Sequence, residues 1–388
     1  MQSSDPGHLF QTDSQISQAA TRERKFKAAG KIGDPINLSS KVIDLEIIGH
    51  DAWTAESGWQ ARRIDMRSGK TVRMYRGHQG PVTSIAIATT ASNQTVLFTG
   101  SWDKTIRVWD ADSGELLHTL DGHGDFVKSL TLIPCSPPVL LSTSSDRTCR
   151  VWELPMLIDG DGKPTSRQLI KEHTRPVECA VWKADMDEHG RPTGEIQVWT
   201  GDSLGVIKQW LVKDGTFTFI QDIKGHETSV TGLFVAEDGL WSASMDKTAI
   251  FHPFSKSAEL IIHHPSYVKS VLPLASLPLP NAQSMVLTGS EDEDIRIWDV
   301  ESSPARLVGS IQAHCGEVTA LKTYRKQDGD KIQIVVVSAG LDSTLRTWTV
   351  KDILHPPELV YEPVEEKKAP ALTEDEEREL AELLSDED

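Results

Sequence analysis

The sequence predicts an all-β fold, a propeller of seven repeated units. Three observations carry that reading. Short stretches such as Thr105-Ile106-Arg107-Val108 alternate with the period of half-buried strands. An upstream His, a tight polar turn and a Trp recur in that order at a spacing of about 40–50 residues, the period of a propeller array. Eleven tryptophans in 388 residues is a high content, and the repeat accounts for much of it.

The units are taken in order from Val42, with the turn Asp as anchor and a Trp six residues later. Unit one, residues 53–65, is degenerate: Gly58 holds the anchor position, and Ile64-Asp65 stands where Trp-Asp is expected. Unit two runs from Asp103 to Trp109 and unit three from Asp146 to Trp152. Unit four, residues 198–210, has Leu204 at the anchor position and is read as degenerate. Unit five keeps Asp246 but carries His252 in place of Trp. Units six and seven run from Asp292 to Trp298 and from Asp342 to Trp348. The upstream residues are His78, His123, His173, His226, His264 and His314, each followed four positions on by a Val: Val82, Val127, Val177, Val230, Val268 and Val318.

The chemistry of one unit explains the pattern. Asp103 can accept the His78 ring N–H, Thr99 can bond the other ring nitrogen, and the same hydroxyl can reach the Trp109 indole. Such a chain satisfies polar groups that would each cost about 1–3 kcal/mol if buried alone. The constellation is architectural rather than a catalytic triad, because it recurs and a nucleophile would appear once. The sequence holds neither G-x-x-x-x-G-K-[ST] nor G-x-G-x-x-G.

These units resemble the WD-repeat β-propeller family over roughly Val42 to Tyr361, and the propeller domain is set at residues 36–362. The resemblance implies four-stranded blades around a central channel, and the lack of a unique nucleophile, metal set or phosphate loop in the sequence leads us to expect no enzymatic activity and no cofactor. It also implies a tight top face on which proteins or peptide motifs dock, the chain serving as a monomeric scaffold or adaptor within a larger complex. The alternative is a substrate receptor or client-recognition subunit in a ubiquitin, chromatin or ribosome-assembly complex. Docking residues are read from two kinds of position. Those before the anchor Asp give Trp102, Met245, Glu291 and Leu341; those flanking the Val give Phe126, Lys128, Glu178, Tyr267 and Lys269. Family geometry brings Trp102, Phe126 and Lys128 together at the channel rim. That is an apolar anchor with a cationic edge, suited to an acidic-aromatic or acidic-aliphatic peptide.

Ring closure leaves two candidates for the last strand of unit seven. One is local, Glu358-Leu359-Val360-Tyr361 after the turn signal Pro356-Pro357, and is favoured; the other comes from residues 36–38 near the start. Long insertions at residues 183–195, 272–283 and 323–331 fall between first and second strands, and residues 155–167 between a third and a fourth. They read as loops on the bottom face.

The flanks differ in composition. Residues 1–35 read as a disordered leader with a basic helix candidate at residues 19–31. Net charge is −17, and 12 acids against three bases from Glu362 onward put −9 of it in the tail. An acidic chain is poorly suited to nucleic-acid backbones. The tail, residues 363–388, carries a capping box at Thr373 to Glu376 and a thin stripe of Leu380, Leu383 and Leu384. Ser385-Asp386-Glu387-Asp388 resembles an acidophilic kinase site. Four scattered cysteines without C-x-x-C argue against disulfides and zinc. No apolar run reaches roughly 18 residues and no signal peptide is apparent, so cytoplasm or nucleus is expected.

Overall fold

The computed structural model describes residues 13–90, 93–154, 165–186, 192–255, 257–274, 284–302, 304–328 and 331–361. The chain forms two units. One, residues 1–28 with 360–388, contains the described helix Asp13–Ala28, with Lys27 and Glu23 paired at 2.8 Å one turn apart. The other, Ala29–Leu359, is the propeller. The expected acidic tail, its capping box and Ser385 lie outside the described residues, as does most of the loop at residues 155–167.

Seven four-stranded antiparallel sheets form the blades. Blades 1 to 6 occupy residues 42–76, 82–120, 127–170, 177–223, 230–263 and 268–311. Blade 7 takes Val318–Asp328, Lys331–Gly340 and Thr344–Trp348, and its fourth strand is Ile36–Asn37. Second strands are the most buried: Val139–Ser144 and Gly239–Ser244 are buried throughout, and Asp51–Glu56, Thr95–Ser101 and Met285–Ser290 are buried after the first residue. Outer strands are far more exposed, Thr216–Ile223 over most of its length, as a sheet edge facing water should be.

The cores lie between blades, and in the five blades that carry it the third-strand Trp packs on the blade before. Trp109 joins Trp53, Ala61 and Tyr75 of blade 1; Trp152 joins Val96 and Phe98 of blade 2; Trp348 joins Leu287 and Ile297 of blade 6. In blade 1 the position is Ile64, packed on Tyr324 and Val335 of blade 7.

The structure corrects three expectations. The ring is closed by the N-terminal segment: Ile36 pairs with Leu345 and Asn37 with Thr344, so the favoured strand at residues 358–361 does not form. After Trp348 the chain enters a short helix, Val350–Leu354, capped reciprocally by Thr349 and Asp352. Ile353 is thereby buried in the seam between blades 6 and 7, and the chain is turned off the sheet edge.

The propeller also begins earlier than residue 36. The buried Arg346 guanidinium donates to the carbonyls of Ala29 and Ile32 at 2.8 and 2.5 Å, and Thr347 N–H donates to Gly33 at 2.7 Å. Gly33, at φ +73°, crosses so close to the Trp348 ring that a Cβ would sit 2.7 Å from it. Finally, two expected insertions are lengthened hairpins in their described parts. Val177–Met186 pairs with Pro192–Asp202, and Val318–Asp328 with Lys331–Gly340.

Candidate partner-binding face

The top face is positioned by the polar chains beneath it. In blade 2 the Trp109 indole donates to Thr99 (2.9 Å), Thr99 bonds His78 Nε2 (2.8 Å), and His78 Nδ1 bonds Asp103 (2.7 Å). Since Nδ1 faces a carboxylate, we assign it the proton. Blade 3 repeats this with Trp152, Ser142, His123 and Asp146, and blade 7 with Trp348, Ser338, His314 and Asp342. In blade 5 His226 reaches Ser242 and Asp246, and His252 takes the place of the indole on Ser242 at 2.9 Å. Burial opposes the charge on these carboxylates. The bonds they accept from His, Thr and backbone N–H nevertheless hold Asp103 and Asp146 well below the usual range and Asp342 at about 2.

Two blades depart from the expected assignments. Blade 4 is not degenerate. Asp202, two positions before Leu204, bonds His173 at 2.9 Å, and Thr200 links His173 to Trp210 at 2.7 and 2.9 Å. From there Asp202 also accepts the N–H groups of Leu204 and Val206, doing the anchor's work from the end of the strand.

Blade 6 has the right spacing and the wrong contact. Thr288 joins Trp298 to His264 Nε2, but Asp292 turns to Arg296 at 2.8 Å, and the buried His264 Nδ1 has no partner. Thr105, Thr148, Thr248 and Thr344 each donate a hydroxyl to the anchor two residues before them, whereas blade 6 has Asp294 there. With a like charge in place of that donor, Asp292 takes the guanidinium. Burial, with Arg296 nearby, brings His264 down to about 4. The Asp-x-Thr pattern in the sequence, broken at Asp292-Glu293-Asp294, carried the signal.

Blade 1 is degenerate as read and uses a different device. Glu56, fully buried, accepts from Arg62 at 2.6 Å, from Gln60 at 2.8 Å and from Thr54 at 3.0 Å, and Ser40 also donates to it. A buried pair with its lone pairs filled is tolerable; half of it would not be.

On this framework two backbone features aim side chains at the face. Where the anchor keeps its expected place, the residue before it donates its N–H across the blade, as Trp102 does to Pro81, Met245 to Ser229, Glu291 to Tyr267 and Leu341 to Glu317; in blade 4 Ser203, after Asp202, does so to Pro176. All seven first strands also carry a register shift just after the opening Val. The extra residue, Ile43, Thr83, Lys128, Glu178, Thr231, Lys269 or Thr319, lines a central channel of about 700 Å³. Three of the threonines stitch blades together, donating to Val127, Val268 and Val42 of the next blade.

Trp102 and Phe126 stack with ring centroids 5.1 Å apart and planes 17° from parallel, yet remain 44% and 36% exposed. Lys128 stands close by in sequence and lines the channel with Trp102, but it is not a free cationic edge: Glu178 neutralises it at 3.0 Å. The charge complementarity expected for an acidic peptide is therefore lost. Across the mouth Tyr267 donates to Glu317 at 2.7 Å. Met245 is exposed, Glu291 is exposed, and Leu341 and Lys269 are half-buried. Deeper in the channel, burial lifts Asp44 to about 6 against the pull of Lys322, which pairs with Glu46. Among the described residues no three His, Cys, Asp or Glu side chains converge to hold a metal, and no helix is long and apolar enough to cross a membrane.

The family model for "WD domain, G-beta repeat" matches residues 69–110, 114–153 and 257–299, within blades 1 to 3 and 5 to 6. The chain carries WD repeats on a seven-bladed propeller. Along its whole length it is 28% identical to an uncharacterized WD repeat-containing protein of Schizosaccharomyces pombe, and the match covers all of both chains. It is 22% identical to a ribosome biogenesis protein WDR12 homolog of Ixodes scapularis, over 66% of this chain and 62% of that one. It is 26% identical to human WD repeat-containing protein 37, over 74% of this chain and 51% of that one. This WD-repeat propeller thus spans only part of the length of those last two relatives.

Proposed function

We propose that this WD-repeat propeller is a non-enzymatic scaffold that docks protein partners on its top face, with Trp102 and Phe126 as the anchor. One observation carries the reading: two large rings stacked on each other at the channel mouth and still open to solvent. Nothing in the strand pattern calls for them there, and exposed aromatic pairs are common interface anchors. Because Lys128 is paired with Glu178, the matching ligand is an apolar or aromatic side chain on a neutral stretch of peptide. Met245 and the Tyr267–Glu317 pair then form the far rim.

The test is recovery of partners from cell extract, read by mass spectrometry. Truncating such anchors costs about 2–4 kcal/mol of binding, while exposed substitutions leave stability within roughly ±0.5 kcal/mol. Trp102→Ala with Phe126→Ala should abolish recovery without lowering the melting temperature. Arg325→Ala with Lys326→Ala, both exposed on the lengthened hairpin of blade 7, should leave it intact. The reverse result would place function on the opposite face.

A second reading puts the protein in ribosome assembly, and hence in the nucleus or nucleolus, on the strength of relatives named as ribosome biogenesis proteins. Co-sedimentation with pre-ribosomal particles would support it, and exclusive recovery in free fractions would remove it.

A further inference from the structure

The seam between blades 4 and 5 is unlike the others. Every other seam is sealed by a large apolar residue from the third strand of the following blade, a Trp in blades 2, 3, 4, 6 and 7 and Ile64 in blade 1. Blade 5 has His252 there, and both ring nitrogens are held, by Ser242 at 2.9 Å and by Glu259 at 2.8 Å. The smaller ring leaves room. The buried apolar cluster at this seam is Trp199, Ile207, Val230 and Leu240, against twelve residues between blades 6 and 7. Beside it opens a groove of about 1000 Å³, a volume suited to a bound ligand.

Its walls have a definite chemistry. On blade 4, Gln221 donates to Gln209 and Gln209 to Gln197, both at 2.8 Å, and Gln197 donates to Asp185 at 3.3 Å. This ladder of neutral amides follows the strand spacing and matches the donors and acceptors of a peptide backbone. Trp199 and Phe254 line the groove as a stacked pair, centroids 5.5 Å apart, and the buried Trp199 Nε1 has no hydrogen-bond partner. The acidic lining residues are Asp185, Glu237 and Glu259, against the one Lys183, whose ammonium is already committed to the carbonyls of Ala236 and Glu237 and to the Phe254 ring.

We propose that the groove between blades 4 and 5 is a second binding site, which takes an extended basic peptide segment. An apolar side chain of the segment would lie against Trp199 and Phe254, its backbone would meet the glutamine ladder, and a flanking Lys or Arg would meet the acidic rim. The site is separate from the Trp102–Phe126 anchor and stands or falls independently of it.

The test selects short random displayed peptides on the full-length protein, with His252→Trp protein in counter-selection. The indole fills the seam and can donate to Ser242 as in the other blades, so this variant should melt at or above the wild-type temperature. Selected peptides should be rich in Lys or Arg beside an apolar residue. By fluorescence polarisation they should bind His252→Trp and Phe254→Ala about tenfold more weakly or worse, and bind Trp102→Ala/Phe126→Ala unchanged. Should His252→Trp fail to fold, Gln209→Ala with Gln221→Ala takes its place, with the same loss expected. Acidic selected sequences, equal binding to the filled groove, or loss only in the top-face variant would each overturn the proposal.

Discussion

At the scale of single residues, the polar chains under the top face assign unequal costs to similar-looking side chains. Asp103→Ala strands the buried His78 N–H and should destabilise by about 2–3 kcal/mol. Asp202→Ala should cost as much, because it strands His173 in the same way, while Leu204→Ala, at an exposed position with no part in the chain, should be nearly neutral. Asp292→Ala should cost less than either, since its partner is Arg296 and not a buried ring. Urea melts of the four variants check the order; an Asp202→Ala protein as stable as Leu204→Ala would refute the reading of blade 4. Spacing pointed to five anchors, and four of them, Asp103, Asp146, Asp246 and Asp342, bond their His. It could not show that Asp202 reaches the same ring from two positions back, nor that Arg296 draws Asp292 away, because both depend on where side chains can reach.

At the scale of one blade, the missing anchor contact becomes a pH dependence. His264 is neutral when folded and its value falls from the ordinary 6.5 to about 4. Between those limits the unfolded chain binds a proton that the folded chain does not, so stability is lost on acidification through that window. His226, also lowered by burial, acts in the same direction. The aspartates held low, Asp342 among them, withdraw their contribution only further down, as pH falls from the ordinary carboxylate range toward 2. Urea midpoints at about pH 7 and about pH 5 should differ more for the wild type than for His264→Gln, and equal differences would exclude His264 as the cause. The top-face aromatics were legible in the sequence because they break the strand pattern. The pairing of Lys128 with Glu178 was not, since the two belong to different blades.

At the scale of the whole molecule, the ring depends on a segment that the sequence offered only as a rival. The local Pro356-Pro357 signal pointed to residues 358–361. The actual strand was hidden because nothing local marks a two-residue strand as the partner of Leu345. Removing residues 1–38 should lower the melting temperature by many degrees, leaving the Arg346 guanidinium buried without the Ala29 and Ile32 carbonyls. Removing residues 364–388, which hold too little apolar sequence to bury, should change it little. Similar losses from both truncations would show that the tail docks on the blades. The closing pair also sets a timetable. Ile36 leaves the ribosome roughly 300 residues before Leu345, and at about 5–20 residues per second it waits on the order of 15–60 seconds for its partner. During translation blade 7 is an open edge, and the first strand to be made is among the last to find its place.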